Sequence, residues 1–412
     1  MKRLNSHLDL ATQQSGVSRR TALSAGALLV GGSMLGAARN VFAQRGDSIK
    51  IGSARPLTGL FASSFAPLYV GAKIATDEIN AAGGILGRPL EIIEADDESS
   101  PAKEPAVMRK LIDSGAQAVL GPVGSSHGMA AIATTTPAKI IHAAGAWTEE
   151  AADGRKYPYH YQFTYNTGHQ GEAVVRHITA ALKLKKVGIL QENTGFGESA
   201  TAATVRALKK RGLEPVGTEV YPLSATDLKI YLGKLRAAGA EALVLWNSPA
   251  QGMILTCAAL QAMKWYPPLL GGNGMYSHAV LDSADPEVLK NSFGTMISSM
   301  TYSATEPVGA RQIAHAKKIM TFPEAKAWEI NAAISPFYDY LHLLKLVVEA
   351  EKRFDTERIK KAFDAVKNYP GMIGNISFTP ENHCALDASQ VVMATVLSGK
   401  DPKAMGCFRQ RA

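Results

Sequence analysis

From residue 48 onward, short apolar runs alternate with helically spaced segments, and this order restricts the fold more than any single motif. Runs at 48–54, 90–95, 118–120 and 140–144 are separated by segments at 66–81, 101–114 and 129–136. In 66–81, Leu68, Ala72, Ala75 and Ile79 recur every three or four positions, as one buried helix face requires. Gly83-Gly84 then closes that helix and Arg88-Pro89 opens the next strand. Strands that alternate with helices of ten to fifteen residues build a parallel sheet with helices on its faces. The pattern then restarts, with helices at 171–184, 199–211, 227–238 and 251–263 and strands at 186–191, 214–221, 242–246 and 268–272. The expected fold class is therefore α/β, with two Rossmann-like lobes of parallel sheet and a cleft between them. Helices at 327–352 and 356–367, then strands at 375–379 and 389–397, suit elements that cross back between the lobes.

The stretch 118–128, AVLGPVGSSHG, runs from an apolar strand through a Gly/Pro/Ser turn into a helix start. A hydroxyl at such a junction caps the helix or holds a ligand, and the spacing leaves both readings open. Helix N-termini carry partial positive charge, so the turn at Ser125 and Ser126 suits a carboxylate or another anion.

The first forty-odd residues have a different character. Arg19-Arg20 precedes an uncharged Ala/Leu/Gly-rich segment at 21–38, and Val41-Phe42-Ala43 supplies a small residue before Gln44. Residues 1–43 are expected to be a twin-arginine signal peptide that sends the mature chain to the periplasm. They carry five basic side chains against Asp9, so the formal net charge of +8 drops to +4 without them. No basic run with interleaved aromatics follows, which argues against a nucleic-acid partner. Cys257, Cys384 and Cys407 are the only cysteines. Pairing of Cys384 with Cys407 and three separate thiols are both open, and no lipid-attachment cysteine lies near the cut.

Several segments together resemble the leucine/isoleucine/valine-binding proteins, the type I periplasmic receptors of ABC importers. They are IKIG, PLTG, GAKIATDEINAAGGILGRPLEIIEADDES, VLGPVGSS, ENTGFGES and LLGGNGMYS. The glycine-rich turn at 83–87 is the most specific, and the resemblance covers essentially the whole chain after the signal. It implies a hinged fold, with one lobe at 47–165 plus 299–380 and the other at 166–298 plus 381–412. It also implies a small solute in the cleft, an inner-membrane permease as partner, a monomer, and neither cofactor nor catalysis. The same receptor could instead hand its ligand to a sensing partner.

In the relatives a first-lobe Ser binds the ligand carboxylate, and the matching residue here is Ser125, beside Ser126. A Thr that also binds the ligand matches Ala146, after Ala144 and Gly145. The Tyr that closes from the second lobe matches Phe196, and the Glu that pairs the ammonium matches Asn273. Losing these polar groups removes amine-directed chemistry, since a charge-assisted contact contributes roughly 1.5–3 kcal/mol. The resemblance thus implies a branched-chain amino acid-like ligand or another small carboxylate or amide, and these departures point to one without an α-amino group. Ser64 belongs to the same cleft by analogy, and Phe65, Trp147, Phe196 and Trp246 are candidate aromatic walls. Tyr276 and His127 are candidate polar partners.

Enzyme readings find little support in the motifs. Gly195-Phe196-Gly197 lacks the third glycine of a dinucleotide fingerprint, and no Walker lysine follows Gly124. The histidines show no metal-protease spacing. The acidic run Asp96-Asp97-Glu98 reads as a solvated strand end, so no metal is expected. An exported redox enzyme is the alternative of another class.

Overall fold

Strands whose side chains are apolar on both faces need helices on both sides, and the first half of the chain supplies them. The computed structural model describes residues 47–248, 250–327 and 336–412. The expected signal at 1–43 and most of the first two turns of the helix expected from 327 lie outside them. The first sheet uses β1 (Ile49–Arg55), β2 (Leu90–Asp96), β3 (Ala118–Val123) and β4 (Ile141–Gly145), in the order β2-β1-β3-β4. All its pairings are parallel. The connections are α1 (Ala62–Ala81), α2 (Glu104–Asp113) and α3 (Ser125–Thr135). β3 is buried at every position, as expected of an inner strand covered on both faces.

The second set comprises α4 (Thr167–Arg176), β5 (Val187–Glu192), α5 (Gly195–Lys209), β6 (Gly217–Tyr221), α6 (Lys229–Ala237), β7 (Ala242–Trp246), α7 (Ala250–Ala262), β8 (Leu269–Gly271) and β9 (Ser292–Ile297). Beyond them come α8 (Ala310–Ile319), α9 (Pro336–Glu351), α10 (Thr356–Asp364) and β10 (Val391–Thr395). The second sheet has the order β10-β9-β8-β7-β5-β6, and only β10 runs antiparallel, against β9. The late helix α9 returns to the first sheet: Tyr69 and Phe337 pack with ring centres 5.1 Å apart, and the Tyr340 hydroxyl donates to Ile141 O. Chain leaving β4 pairs beside it at His142 and His160, and then pairs with the returning chain at Gln162 and Cys384. Crossing segments thus lie side by side between the two sheets.

Four helices begin about a turn earlier than the sequence suggests, α3 at Ser125 rather than 129 and α4 at Thr167 rather than 171 among them. α1 starts at Ala62 rather than at 66, and Pro67 lies within it. A proline is expected at the first helical position, but here Phe61 and Phe65 stack one turn apart, centres 5.0 Å, and bury the turn before it. α5 starts at Gly195 rather than 199, because Thr194 Oγ1 accepts from Gly197 N and caps it. Phe196 therefore sits on a helical turn and not on a loop. The inner strand β9, SFGTMI, has no counterpart in the sequence reading, since Ser292, Gly294 and Thr295 interrupt its apolar run.

All three cysteines are buried thiols, so the Cys384–Cys407 disulfide is not formed. Cys384 Sγ donates to Thr164 O and Cys407 Sγ to Met405 O. Burial pushes the Cys257 and Cys384 thiols up to about 12, which keeps them protonated and poorly reactive. A thiol reagent should therefore react slowly with the native protein and label three groups in denaturant; a single labelled group would reveal a disulfide.

The junction of β4 with the crossing chain is built on buried imidazoles. His142 Nδ1 pairs with Thr135 Oγ1 at 2.9 Å and Nε2 with Gly121 O at 2.6 Å, while His160 packs edge-on at 5.4 Å. Burial holds His142 down at about 4, and His160 falls well below its ordinary value by burial and by its neighbour His142. A histidine kept neutral in the fold binds its proton only after unfolding. Stability is therefore complete above about pH 6.5 and declines as pH falls towards 4, by up to about 1.4 kcal/mol per pH unit for each such group. Urea unfolding at pH 7 and pH 5 should show this loss; equal stabilities would contradict it.

Candidate ligand-binding site

Local chain geometry brings two helix N-termini together. Gly124, with φ 109°, turns the chain from β3 into α3, and no side chain caps the first turn of α3. Neither serine spends its hydroxyl on capping. Ser125 Oγ accepts from Trp147 N at 3.1 Å, which leaves its own proton available to an acceptor in the cleft. Ser126 Oγ accepts from Gly195 N at 3.1 Å, which ties the start of α3 to the start of α5. A Cβ on Gly195 would stand 3.1 Å from that oxygen, so glycine permits the approach. Trp147 is also held through its carbonyl by Thr167 N at 2.7 Å. Glu149 pairs with Arg206 on α5, a second contact joining the same segments.

Between these turns lies a chamber of about 30 Å³, walled by Phe65, Leu68, Trp147 and Phe196. Its polar lining comes from Ser125, Asn247, Ser248 and Asn273. An adjoining chamber of about 170 Å³ shares Phe65, Gly124, Ser125, Phe196 and Ser248 and adds Ser126, His127 and Thr194. Among the described residues, no Asp, Glu, Lys or Arg lines either one. The inner space holds little more than a water, so the structure shows the two sheets drawn close together.

The sequence-derived set divides in two. Ser125, Phe65, Trp147, Phe196 and Asn273 meet around the inner chamber, and Ser126 joins them at the outer one. Ala144, Gly145 and Ala146 lie beneath the turn instead: Ala144 N donates to His160 Nε2, Gly145 O accepts from Gly124 N, and Ala146 O accepts from Gln162 Nε2. Ser64 is buried on α1 away from both chambers. Trp246 forms a second layer, edge-on to Phe196 at 6.1 Å with Nε1 donating to Thr204 Oγ1. Tyr276 is not a cleft residue, because its hydroxyl donates to Gly294 O and Ala394 O within the second sheet.

Sequence reasoning missed Leu68, Asn247, Ser248 and Glu192. Glu192 ends β5, and its carboxylate accepts from Thr194 Oγ1, Ser248 Oγ and Ser248 N, each at 2.7 Å. It fixes two loops of the second lining; burial nonetheless raises its carboxyl above the ordinary range. Glu192, Asn247 and Ser248 stand at the carboxyl ends of β5 and β7, where open parallel sheets place their ligands, so strand-end position was the available signal, whereas Leu68 lies on α1. Asp97 also departs from expectation. Glu98 is the exposed member of the acidic run and Asp96 is half-buried, accepting from Leu57 N and Thr58 N, whereas Asp97 is fully buried.

A sequence profile of the periplasmic binding protein family matches residues 48–400. An amino acid binding protein of Pseudomonas aeruginosa is 32% identical over 194 residues, which span 47% of this chain and 52% of the relative. A Leu/Ile/Val-binding protein homolog of Brucella abortus is 24% identical over 341 residues, 80% of this chain and 86% of the relative. Among solved structures, a type 1 periplasmic binding protein from Bordetella pertussis superposes with a TM-score of 0.77 at 22% identity, covering 89% of this chain and all of its own. A solute binding protein of an ABC transporter from Rhodopseudomonas palustris, solved with p-hydroxybenzoic acid, gives 0.73 at 19%, covering 89% and 96%. With two sheets joined by crossing chain and a lined cleft at their strand ends, the chain belongs to the periplasmic binding protein family and has its type I fold.

Proposed function

We propose that this chain is an exported solute receptor that captures a small carboxylate lacking an α-ammonium group and delivers it to an ABC permease. The observation that carries this reading is a chamber with helix N-termini and the Ser125 hydroxyl at one end, aromatic walls, and no charged side chain among the described residues of its lining. A carboxylate is favoured at a helix N-terminus and gains charge-assisted hydrogen bonds there. An ammonium group would be buried with no carboxylate in the lining to meet it, a cost of several kcal/mol. The flat rings of Phe65, Trp147 and Phe196 suit an aromatic or branched aliphatic body. The relative crystallised with p-hydroxybenzoic acid accords with that chemistry, and the amino acid binding relatives mark the alternative.

In this reading the two lobes, at 47–165 plus 299–380 and at 166–298 plus 381–412, hinge about the crossing segments near Gln162 and Cys384. Ligand docks on Ser125, and the second lobe closes with Phe196 and Asn273 while Ser126 meets Gly195. The twin-arginine signal at 1–43 directs export, and the receptor acts as a monomer without catalysis. A thermal-shift screen of matched aromatic acids, amino acids and amides on the mature chain tests the reading. Acids without an α-amino group should raise the melting temperature most; a larger rise with amino acids would overturn it.

A further inference from the structure

Three first-lobe side chains, of which His127 also lines the outer chamber, converge on one buried point. Asp97 follows the end of β2, Glu104 is the first residue of α2, and His127 lies in the first turn of α3. One potential ligand atom from each lies within 4.8 Å of the other two. Asp97 and Glu104 are fully buried and His127 is 5% exposed. Both oxygens of Glu104, Oδ2 of Asp97 and Nε2 of His127 are buried and meet no donor among the described residues, and the Asp97 and Glu104 carboxyls face each other as a pair that can share a proton. Asp97 Oδ1 accepts from Ser99 N at 2.7 Å, and His127 pairs with the Ser99 backbone. Two adjacent buried carboxylates repel, and a buried carboxylate without a partner costs several kcal/mol. The imidazole nitrogen beside them is equally costly to leave unmet.

We propose that Asp97, Glu104 and His127 bind one first-row divalent cation, with zinc as the best match to two carboxylates and one imidazole. The two negative charges balance the ion, so the buried site becomes neutral. All three side chains offer donor atoms of the kind zinc takes, and remaining positions are left to water. The ion joins the ends of three elements, and His127, as both a ligand and a lining residue of the outer chamber, transmits its occupancy to the turn that carries Ser125 and Ser126. Neither part depends on the identity of the transported solute.

The test uses the mature full chain without a histidine tag, stripped with a chelator and titrated with zinc by calorimetry, alongside Glu104→Gln and His127→Gln. The wild type should bind one zinc per chain with micromolar or tighter affinity, and its melting temperature should rise with zinc. Cobalt(II) should give visible absorption of a bound site. Both variants should weaken zinc by at least about tenfold. Glu104→Gln, which removes one of two facing carboxylates, should melt higher than the wild type in chelator, so weakened binding there is not misfolding. No zinc binding by a folded wild type would overturn the proposal, as would binding that both variants leave unchanged. Higher stability of Glu104→Gln together with no wild-type zinc uptake would show instead that the carboxyl groups share a proton.

Discussion

Ser125→Asp should weaken ligand binding by about 100-fold or more and lower the melting temperature of a protein that still folds. Ser125 is the first residue of α3, 2% exposed, and its hydroxyl is the side-chain donor at that helix end. Losing that donor to a carboxylate ligand costs roughly 1.5–3 kcal/mol. An added carboxylate also opposes the ligand's charge, and two unit charges 4 Å apart interact by about 4 kcal/mol at an effective dielectric of 20. Together these exceed the 2.7 kcal/mol that corresponds to 100-fold. Folding feels opposed effects, of which burial of the new carboxylate is the larger. An acidic residue in the first helical turn gains about 0.3–1 kcal/mol, and the new oxygen can still accept from Trp147 N, against the cost of burial. Calorimetry reads the affinity and thermal unfolding the stability. Unchanged affinity would remove Ser125 from the site, and tighter binding of an amine would reverse the charge argument.

Gly121→Ala should destabilise the fold by at least about 3 kcal/mol. Gly121 adopts φ 72°, and a Cβ there would stand 2.0 Å from Ala54 O and 2.8 Å from the Tyr69 hydroxyl. That hydroxyl already donates to Ala54 O at 2.8 Å, so the clash strikes a paired backbone group. Left-handed backbone adds about 1 kcal/mol for a residue with a side chain, and relief requires β1 and β3 to part. Because Gly121 also offers its carbonyl to His142 Nε2, the strain spreads to β4 and the Ser125 turn. Urea unfolding measures the effect, and a loss below 1 kcal/mol would show that the strands accommodate the methyl group.

The α/β alternation and the strand boundaries in the first half were legible because both depend on apolar periodicity, which 48–145 displays cleanly. Ser125, Phe196, Trp147 and Asn273 were legible through the resemblance and do meet around one chamber. Helix starts were harder to read: α1 begins before a proline because two stacked phenylalanines bury its first turn, a tertiary contact that spacing does not encode. Ala144 to Ala146 were placed by matching positions along the chain, and what that matching did not show is that His160 and Gln162, more than a dozen residues on, meet Ala144 N and Ala146 O. The burial of Asp97 was illegible for the same reason. Its neighbours Glu104 and His127 come from separate helices, and only folding sets them together. The disulfide option could not be resolved from spacing, since Cys384 and Cys407 settle into different surroundings.

That the chamber recognises negative charge at converging helix ends can be checked most directly by one ratio. Calorimetry should compare the best-bound acid from the screen with its primary amide on the wild-type protein. The two have nearly the same shape, so the ratio isolates the charge. A preference of about tenfold or more for the acid is expected, from the greater strength of hydrogen bonds to a charged acceptor. Equal affinity, or preference for the amide, would contradict it.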